Sequence, residues 1–547
     1  MLNFSPRRLM LGKQAITAFF VKNDINCVFH LPGLHTLPLE EELSKQHAVR
    51  IITGRHESDL IYMADGYART SGKPGIVLVT AGPGLGNVVS GCMEAFNSDV
   101  PLLIIHFDVE QKDVPRGVLH GITEPEAIFK NITKKIYTPP DISKLVPHLD
   151  DAYHATTSGR KGPVFISFPY TFLKRTVPPD ASVRETYFDN ALTKEYTGDA
   201  TEPDHFFKSL KDLLHTKKKP LIIGGKALMQ QDYAMILDDT CRTCSIPFLT
   251  TTGGKGIIRE DRPYTFGNIM KKGIARDIVA SSDLVIAIGT RLRDVDVKRR
   301  NVKIAELVHV DVDDRWIDKN YPSRLKFTGD LSVVLRHIRD ILKQMVFEWD
   351  LNELSRLKNE EESRLLRESS SYALIKLIRD VIPEDTTIVC DLNIPSYWAE
   401  YYFPVFHQNS FLLPRGISPI FYSLPASIGA KLGRPDRPCL AICGDGGVLP
   451  TIGELAVIRQ YNIPVVIFIH NNSSFAILED AMAERYGIHD SMKLCNPDFT
   501  KIAGAFGIKA MQADTMGGLE KIFRHYTDWG DPFLIEFRHP VSPAPWK

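Results

Sequence analysis

The sequence contains no apolar run long enough to cross a membrane, and it has no excess of either charge. Its 66 lysines and arginines balance its 66 acidic residues, so the formal net charge is zero. A neutral chain argues against an extended contact with nucleic acid or anionic lipid. The first residues, MLNFSPRRLML, lack the continuous apolar segment of a signal peptide. We therefore expect a cytoplasmic protein whose partners are small molecules rather than nucleic acid or membrane.

Cysteine is scarce, with eight in 547 residues. The closest pair, Cys241 and Cys244, lies in a helix-like stretch with no second pair and no histidine partner. A metal or redox role for this pair stays open, but two ordinary buried thiols are the simpler interpretation. Scattered cysteines of this kind are typical of a reducing compartment.

Apolar strand-like runs alternate with helix-like stretches along the whole chain, among them GIVLVTAGPG, PLLIIHF, LVIAIGT and PVVIFIHNN. Most of these runs are continuous rather than alternating, and many are rich in Val and Ile. This pattern is typical of parallel strands that are covered by helices on both faces. The sequence therefore predicts the α/β class, built as several doubly wound parallel sheets.

Two stretches have the composition of joints between domains. The polar run KRTVPPDASVRETYFDN follows the strand-like GPVFISFP, and the highly charged stretch around 346–372 lacks any strand-like run. Boundaries at these joints give three domains of ordinary size, 1–172, 195–345 and 372–547. Ligands of such sheets bind beyond the carboxyl ends of the strands. The glycine-rich turns GPGLGN (82–87) and GDGG (444–447) are therefore the first candidate sites.

The stretch from 439 to 472 predicts a strand, a helix and a second strand. CLAICGDGG ends the first strand, Ile452, Leu455 and Ile458 have helical spacing, and PVVIFIHNN is the second strand. This unit brings Asp445 and Asn472 to the same edge of the sheet. A carboxylate and an amide oxygen suit a hard cation, and helix N–H groups suit phosphate. A Mg²⁺ that bridges a diphosphate to the protein satisfies these features, with a plain turn and a plain loop as the alternative.

The same stretch resembles the GDG…NN signature of thiamin-diphosphate-dependent enzymes. The resemblance implies that Asp445, Asn472 and the backbone carbonyl of Ser474 hold the metal. Serine replaces the glycine that the family often has at this last position, a mild departure because only the carbonyl is used. The residues that the resemblance implies for binding the diphosphate and its metal are Gly444, Asp445, Gly446, Gly447, Asn472 and Ser474.

The resemblance extends over nearly the whole chain. RHESDLIYMADGYAR looks like the first domain of the acetolactate synthase and 2-oxo acid decarboxylase group, PLIIGG and LVIAIGTRL like its middle domain, and SLPASIGAKLGRPDRPCLAICGDGG like its last domain. This implies a pyrimidine-binding, a middle and a diphosphate-binding domain. It also implies that Glu57 bonds the aminopyrimidine ring and so activates the cofactor. Taken alone, Glu57 could instead be a helix cap or a salt-bridge partner of Arg55.

Further cofactor contacts follow from the same resemblance. In RGISPIFYSLPASIGA, Ile420 matches the aliphatic side chain that holds the cofactor in its bent form, and the carbonyl of Ser418 would accept from its amino group. The family more often has Gly-x-Met-Gly here, and without the motif Ile420 would be a plain core residue. The other residues expected to line the cofactor cleft are Gly33, Gly82, Asn87 and Ile477.

Three features bear on the reaction. Leu478 stands where yeast-type pyruvate decarboxylases have an acidic residue, and Glu479 is one step further. RGVLHGITEPEA resembles a subgroup that includes 5-guanidino-2-oxopentanoate decarboxylase, which makes His120 a candidate general acid/base, with a hydrogen-bonded loop histidine as an equal alternative. In that enzyme a glutamate matches Ile477. Apolar Ile477 offers no partner to a guanidinium group, so an aliphatic or small substrate is favoured.

We therefore predict a thiamin-diphosphate- and Mg²⁺-dependent enzyme that decarboxylates a 2-oxo acid and ligates the product to an aldehyde or a second 2-oxo acid. A simple decarboxylase is the alternative, and a catalytically silent oligomeric relative is an alternative of another class. FAD could occupy the middle domain but is not part of the prediction. In the family, the glutamate and the diphosphate site come from different subunits, which implies a homodimer or homotetramer.

Overall fold

The computed structural model describes residues 10–178, 203–297, 301–525 and 527–546. The predicted domain limits at residues 1, 195 and 547, and the part of the first joint from 179 onward, lie outside the described residues. Three six-stranded parallel sheets with helices between their strands confirm the predicted α/β class. The domain boundaries remain predictions.

The N-terminal sheet carries the first candidate turn. A separate antiparallel pair is formed by β1 (Met10–Leu11) and β8 (Thr176–Val177). The six strands of the sheet are β2 (Cys27–His30), β3 (Arg50–Thr53), β4 (Gly75–Thr80), β5 (Leu102–Asp108), β6 (Lys135–Tyr137) and β7 (Val164–Pro169). The helices are α1 (Gly12–Lys22), α2 (Leu37–Leu43), α3 (Glu57–Ser71), α4 (Pro83–Asn87), α5 (Val89–Asn97) and α6 (Leu145–Thr157). The order β3-β2-β4-β5-β7-β6 changes winding direction between β2 and β4, so the loops after these strands flank a cleft.

The middle sheet has the order β11-β10-β9-β12-β13-β14. Its strands are β9 (Pro220–Gly224), β10 (Phe248–Thr250), β11 (Thr265–Asn268), β12 (Leu284–Ile288), β13 (Leu307–Asp311) and β14 (Leu325–Thr328). The helices are α7 (Pro203–Leu214), α8 (Gln231–Cys244), α9 (Ile274–Ser281), α10 (Leu331–Leu342) and α11 (Leu351–Glu368). Cys241 and Cys244 are buried and unbridged at the end of α8. The charged second joint forms α11, in which Leu365 is the one buried residue.

The C-terminal sheet carries the second candidate turn. Its strands are β15 (Thr387–Cys390), β16 (Phe411–Leu412), β17 (Cys439–Gly444), β18 (Val466–His470), β19 (Lys509–Ala513) and β20 (Phe533–Phe537). The helices are α12 (Ser370–Val381), α13 (Ile394–Tyr402), α14 (Ser423–Gly433), α15 (Asp445–Val448), α16 (Leu455–Tyr461), α17 (Ala476–Tyr486), α18 (Phe499–Ala505) and α19 (Met516–His525). The order β16-β15-β17-β18-β20-β19 changes direction between β15 and β17, which places GDGG at the cleft.

The helix after GDGG is less regular than its spacing predicts. A 3₁₀ segment, Leu449–Glu454, separates α15 from α16, and Pro450 near its start has no backbone N–H to donate. Leu455 and Ile458 are buried as expected, but Ile452 is only half-buried.

Helix α3 of the first domain packs against α14 of the last domain, and their backbones are nearly in contact. A Cβ added to Gly66 would lie 2.0 Å from the carbonyl oxygen of Ala426, and one added to Gly429 would lie 1.7 Å from that of Met63. This contact fixes α3, which begins at Glu57, against the C-terminal domain. Across the described ranges, no helix combines the length and the apolar character needed to span a bilayer.

Candidate functional site

Glu57 begins α3 at the carboxyl edge of the N-terminal sheet. The imidazole of His56 caps the helix by accepting from the Ser58 N–H at 3.2 Å. The Glu57 carboxylate is buried, and its Oε2 accepts from Nδ2 of Asn87 at 2.8 Å. Arg55 directs its guanidinium to the Gln460 side chain instead. The two predicted residues, buried Glu57 and half-buried Asn87, are therefore hydrogen-bonded to each other at the cleft.

Glycines allow three loops to meet at this edge. A Cβ on Gly33 would lie 2.8 Å from Oγ1 of Thr80, and one on Gly84 would lie 3.4 Å from Oε1 of Glu57. Gly82 has φ +75°, and its added Cβ would lie 2.6 Å from Nδ1 of His120. Only glycine tolerates both this backbone conformation and this contact. The turn GPGLGN thus lies between His120 and Glu57.

His120 lies beside a second histidine, His35, from the loop after β2. The ring centroids are 5.6 Å apart and the rings are perpendicular. His35 also contacts the Tyr170 ring at 5.0 Å, and its Nδ1 hydrogen-bonds Oγ1 of Thr80 at 2.9 Å. Burial and then the neighbouring His120 lower the pKa of His35. The sequence marks His35 only as a weaker candidate, which follows the glycine turn in LPGLHTLPL and could face the cofactor. Its pairing with His120 was not predicted, because it depends on two loops that are far apart in sequence.

Asp445 is buried at the corresponding edge of the C-terminal sheet. Its Oδ1 accepts from the Gly446 N–H at 2.9 Å, and its Oδ2 accepts from Nδ2 of Asn496 at 2.7 Å. The same Nδ2 donates to Oδ1 of Asn471 at 2.9 Å. Burial raises the pKa of Asp445, while these hydrogen bonds counteract part of the rise. Sequence reasoning missed Asn496, since nothing in its local sequence marks it as a partner of the GDGG turn.

The two asparagines after β18 have different environments. Asn471 is buried and donates to Oε1 of Glu536 at 2.6 Å, whereas Asn472 is half-buried. The following backbone is held by residues 492–494: the Leu494 N–H donates to Ser473 O at 2.8 Å, and the Phe475 N–H donates to Met492 O at 3.0 Å. These bonds fix the peptide groups on both sides of Ser474, and with them the direction of its carbonyl.

The glycines of GDGG have neighbours that leave no room for side chains. A Cβ on Gly446 would lie 2.4 Å from the Phe475 ring, and one on Gly447 would lie 2.2 Å from the carbonyl oxygen of Ile420. Gly447 is also packed against Asp391, with 2.5 Å from its added Cβ to Oδ2. Gly444, at the end of β17, faces Asn393 less tightly. The turn therefore needs glycine for close packing at the cleft.

The loop with Ser418 and Ile420 is anchored by Glu94 of α5, whose Oε2 accepts from the Ile417 N–H at 2.7 Å. Ser418 has φ +62°, and the Ile420 side chain is 40% exposed. An exposed, anchored aliphatic side chain fits the role of a cofactor support better than that of a core residue. Ile477, the second residue of α17, is partly buried.

These residues fit a diphosphate cofactor with a hard cation. The described residues contain no cluster of three or more His, Cys, Asp or Glu side chains that could hold a metal. A metal at this edge would therefore depend on mixed oxygen donors, and Asp445, the Asn472 amide and the Ser474 carbonyl are of that chemistry. Oδ1 of Asn496 is buried there without a hydrogen-bond partner among the described residues, so polar binding capacity remains at the site.

Comparison with known proteins agrees with this geometry. Three family models match: "Thiamine pyrophosphate enzyme, N-terminal TPP binding domain" over residues 10–128, the central domain over 207–338 and the C-terminal TPP binding domain over 394–537. "Probable 2-ketoarginine decarboxylase AruI" of Pseudomonas aeruginosa is 30% identical over 99% of this chain and 96% of its own length. "Acetolactate synthase large subunit" of Lactococcus lactis is 27% identical over 96% and 92%, and "Probable acetolactate synthase large subunit" of Methanococcus aeolicus is 27% identical over 98% and 93%.

Proposed function

Because the chain belongs to the family of thiamin-diphosphate-dependent enzymes, we propose that it decarboxylates a 2-oxo acid and joins the product to a second carbonyl compound. This proposal is supported most by the residues at the carboxyl edges of the N-terminal and C-terminal sheets. One carries the hydrogen-bonded pair of Glu57 and Asn87, and the other carries Asp445 beside Asn472 and Ser474. Bound thiamin diphosphate would supply the electron sink that decarboxylation needs.

The residues divide the work of holding the cofactor. Asp445, the Asn472 amide oxygen and the Ser474 carbonyl would hold Mg²⁺, which in turn would hold the diphosphate. Glu57 would bond the aminopyrimidine ring, and burial would strengthen that contact because little water competes for the carboxylate. Ile420 would support the cofactor from the opposite domain, with the Ser418 carbonyl as an acceptor.

The side chains at the two edges favour an aliphatic substrate. Large apolar side chains exposed near the cleft include Leu34 and Leu119 on the N-terminal loops, Ile417 and Ile420 on the loop before α14, and Leu478 in the first turn of α17. Glu479 is the nearest acid beyond them in sequence, and it is already bonded by the Ser474 hydroxyl and by Lys493. The carboxylate that follows Ile477 most closely is therefore already engaged, whereas a short alkyl chain would contact apolar surface.

Simple decarboxylation is the second candidate, and one observation favours it. The His35–His120 pair places proton-carrying groups at the cleft edge, and an aldehyde forms when the substrate carbon takes up a proton instead of a second carbonyl compound. A catalytically silent role is the least supported, since Glu57, Asp445 and Asn472, the residues proposed to hold and activate the cofactor, are all intact in the sequence.

Product analysis tests the proposal. The purified protein would be incubated with thiamin diphosphate, Mg²⁺ and a panel of 2-oxo acids that differ in chain length and tail charge, with and without added aldehydes. We expect CO₂ release from short aliphatic acids and ligated products when an acceptor is present. The Asp445→Ala variant is the control for cofactor dependence. CO₂ release with an aldehyde as the only organic product would support the second candidate. No CO₂ release from any 2-oxo acid would refute both candidates.

We also propose that the active unit is a homodimer or homotetramer in the cytoplasm. The N-terminal edge exposes Leu34 at 80% and Leu119 at 76%, the C-terminal edge exposes Leu478 at 54%, and apolar surface that gathers at one place is typical of an interaction site. A second copy of the chain would cover them if the N-terminal edge of one subunit met the C-terminal edge of the other. Mixing inactive Glu57→Gln and Asp445→Ala chains should then restore activity, whereas an active monomer in sedimentation would contradict this arrangement.

A further inference from the structure

The loop 415–420 between β16 and α14 has a strained backbone at the residues expected to contact the cofactor. Ser418 has φ +62°, in the left-handed region that residues other than glycine seldom adopt. The next residue is Pro419, and a residue before proline normally takes an extended conformation with negative φ. Ser418 therefore keeps its conformation only because neighbouring contacts enforce it.

The side chain of Ser418 does not supply this constraint, because Ser418 is exposed. The backbone that follows it is held firmly. A Cβ added to Gly447 would lie 2.2 Å from the carbonyl oxygen of Ile420, and the hydroxyl of Tyr422 donates to Asp65 of α3 at 2.5 Å. These contacts fix the chain after the strained residue, so an anchor is also needed before it.

Glu94, a fully buried residue of α5, provides this second anchor. Its Oε1 accepts from the Gly416 N–H at 3.0 Å, and its Oε2 accepts from the Ile417 N–H at 2.7 Å. A Cβ added to Gly416 would lie 2.5 Å from the backbone carbonyl oxygen of Glu94, so the loop also lies close to the backbone of α5. One carboxylate thus fixes two successive peptide groups directly before Ser418.

The Glu94 carboxylate is itself held in place by two donors of the N-terminal domain. The Ser98 hydroxyl donates to its Oε1 at 2.6 Å, and the Arg69 guanidinium lies 3.4 Å from the same oxygen. The middle domain adds a weaker constraint, since Arg293 donates to the carbonyl oxygen of Arg415 at 2.7 Å, three residues before the strained one. Glu94 is therefore the anchor that acts on the peptide group next to the strain.

We propose that Glu94 is a positioning residue for the cofactor. By holding the N–H groups of Gly416 and Ile417, it keeps Ser418 in the left-handed conformation, which in turn directs the Ser418 carbonyl and the Ile420 side chain. This inference rests on the proposed function, which assigns both groups to the cofactor. A glutamine in place of Glu94 has only one acceptor oxygen, so it cannot serve both N–H groups.

The first test uses the protein without cofactor or substrate. Hydrogen–deuterium exchange followed by mass spectrometry measures the peptides that cover residues 411–422. In Glu94→Gln, we expect the amides of Gly416 and Ile417 to exchange at least about tenfold faster, because at least one of them loses its acceptor. Glu41→Gln, an exposed glutamate on α2 of the same domain, is the matched control and should leave this exchange unchanged.

The second test is a double-mutant cycle on the affinity for thiamin diphosphate, measured by calorimetry at fixed Mg²⁺. Glu94→Gln should lower the affinity about tenfold, the usual effect of losing one hydrogen bond to a charged group. In the Ser418→Gly background the same substitution should lower it less than about threefold, because glycine adopts positive φ without strain. A merely structural Glu94 would cost the same factor in both backgrounds, and that result would overturn the proposal.

A third variant keeps the proposal testable if Glu94→Gln does not fold. Ser418→Val introduces a β-branched side chain at an exposed position, where it has room but resists positive φ. It should bind thiamin diphosphate at least about fivefold more weakly than Ser418→Gly, and equal affinities would contradict the proposal.

The outcomes separate this inference from the proposed function. If the wild-type protein binds the cofactor but releases no CO₂ from any 2-oxo acid, the proposed function fails, and the exchange and affinity measurements still decide the role of Glu94. If the wild-type protein releases CO₂ but loop exchange is unchanged in Glu94→Gln, Glu94 does not position the loop.

Discussion

Replacing Asn496 by alanine should weaken cofactor binding without removing any predicted metal ligand. One amide nitrogen of Asn496 donates to Asp445 at 2.7 Å and to Asn471 at 2.9 Å. The first bond is to a buried carboxylate and is worth about 1.5–3 kcal/mol, and the second about 1 kcal/mol. The substitution removes these bonds from the cofactor-free and the cofactor-bound protein alike, so most of their energy cancels. Only their contribution to orienting Asp445 changes the affinity for the cofactor. Partners that orient a metal ligand typically contribute about 10–100-fold.

We therefore expect the Mg²⁺-dependent affinity for thiamin diphosphate to fall about 10–100-fold in Asn496→Ala, which corresponds to about 1.4–2.7 kcal/mol. Isothermal titration calorimetry at fixed Mg²⁺ measures this directly. Asn131→Ala, an exposed asparagine of the N-terminal domain, is the matched control and should bind as the wild type does. Asp445→Ala should bind too weakly to measure. Wild-type affinity in Asn496→Ala would refute the orienting role.

Two further predictions concern the contact between the first and last domains. Gly66→Ala should lower the melting temperature by several degrees in differential scanning calorimetry, because its Cβ would lie 2.0 Å from the Ala426 carbonyl oxygen and must push α3 from α14, and an unchanged melting temperature would contradict the backbone contact. Burial, then the adjacent Glu454 carboxyl, raises the pKa of Asp59, so its ionisation destabilises the folded state increasingly as pH rises above the pKa of a free carboxyl. Asp59→Asn should therefore raise the unfolding temperature more at pH 8 than at pH 5. An equal rise at both pH values would show that the pKa of Asp59 is not raised in the folded protein.

The sequence predicted the fold because most strands that form the sheet centres are continuous apolar runs. All seven residues of β5 are buried, and so are all five of β12 and of β18. Some strands that went unrecognised are short or lie at sheet edges, such as β14 and β16, where burial is incomplete and the apolar signal is weak. The missed strand β20 is fully buried inside its sheet, but Glu536 interrupts its apolar run FLIEF. The 3₁₀ segment after GDGG was missed because helical spacing alone does not report a local change of hydrogen bonding.

The residues of the candidate site were likewise predicted only in part. Glu57 and Asp445 stand in recognisable local motifs, and their surroundings in the structure agree with cofactor binding. Asn496 does not, and His35 is marked only by the glycine turn before it, because the importance of both residues comes from contacts between loops that are distant in sequence. A hydrogen bond or ring contact of this kind depends on tertiary packing, which one sequence without its fold does not specify.

We propose that Glu57 activates thiamin diphosphate held at the Asp445 edge. The most direct measurement is the exchange rate of the cofactor's C2 hydrogen with deuterium, followed by NMR after rapid quenching of protein loaded with thiamin diphosphate and Mg²⁺. The Glu57→Gln side chain can still accept from Asn87, so the fold should be kept. We expect exchange at least about 100-fold slower than in the wild type, within the usual contribution of a positioned acid or base. Exchange near the wild-type rate in Glu57→Gln, with the cofactor shown to be bound, would contradict this role of Glu57.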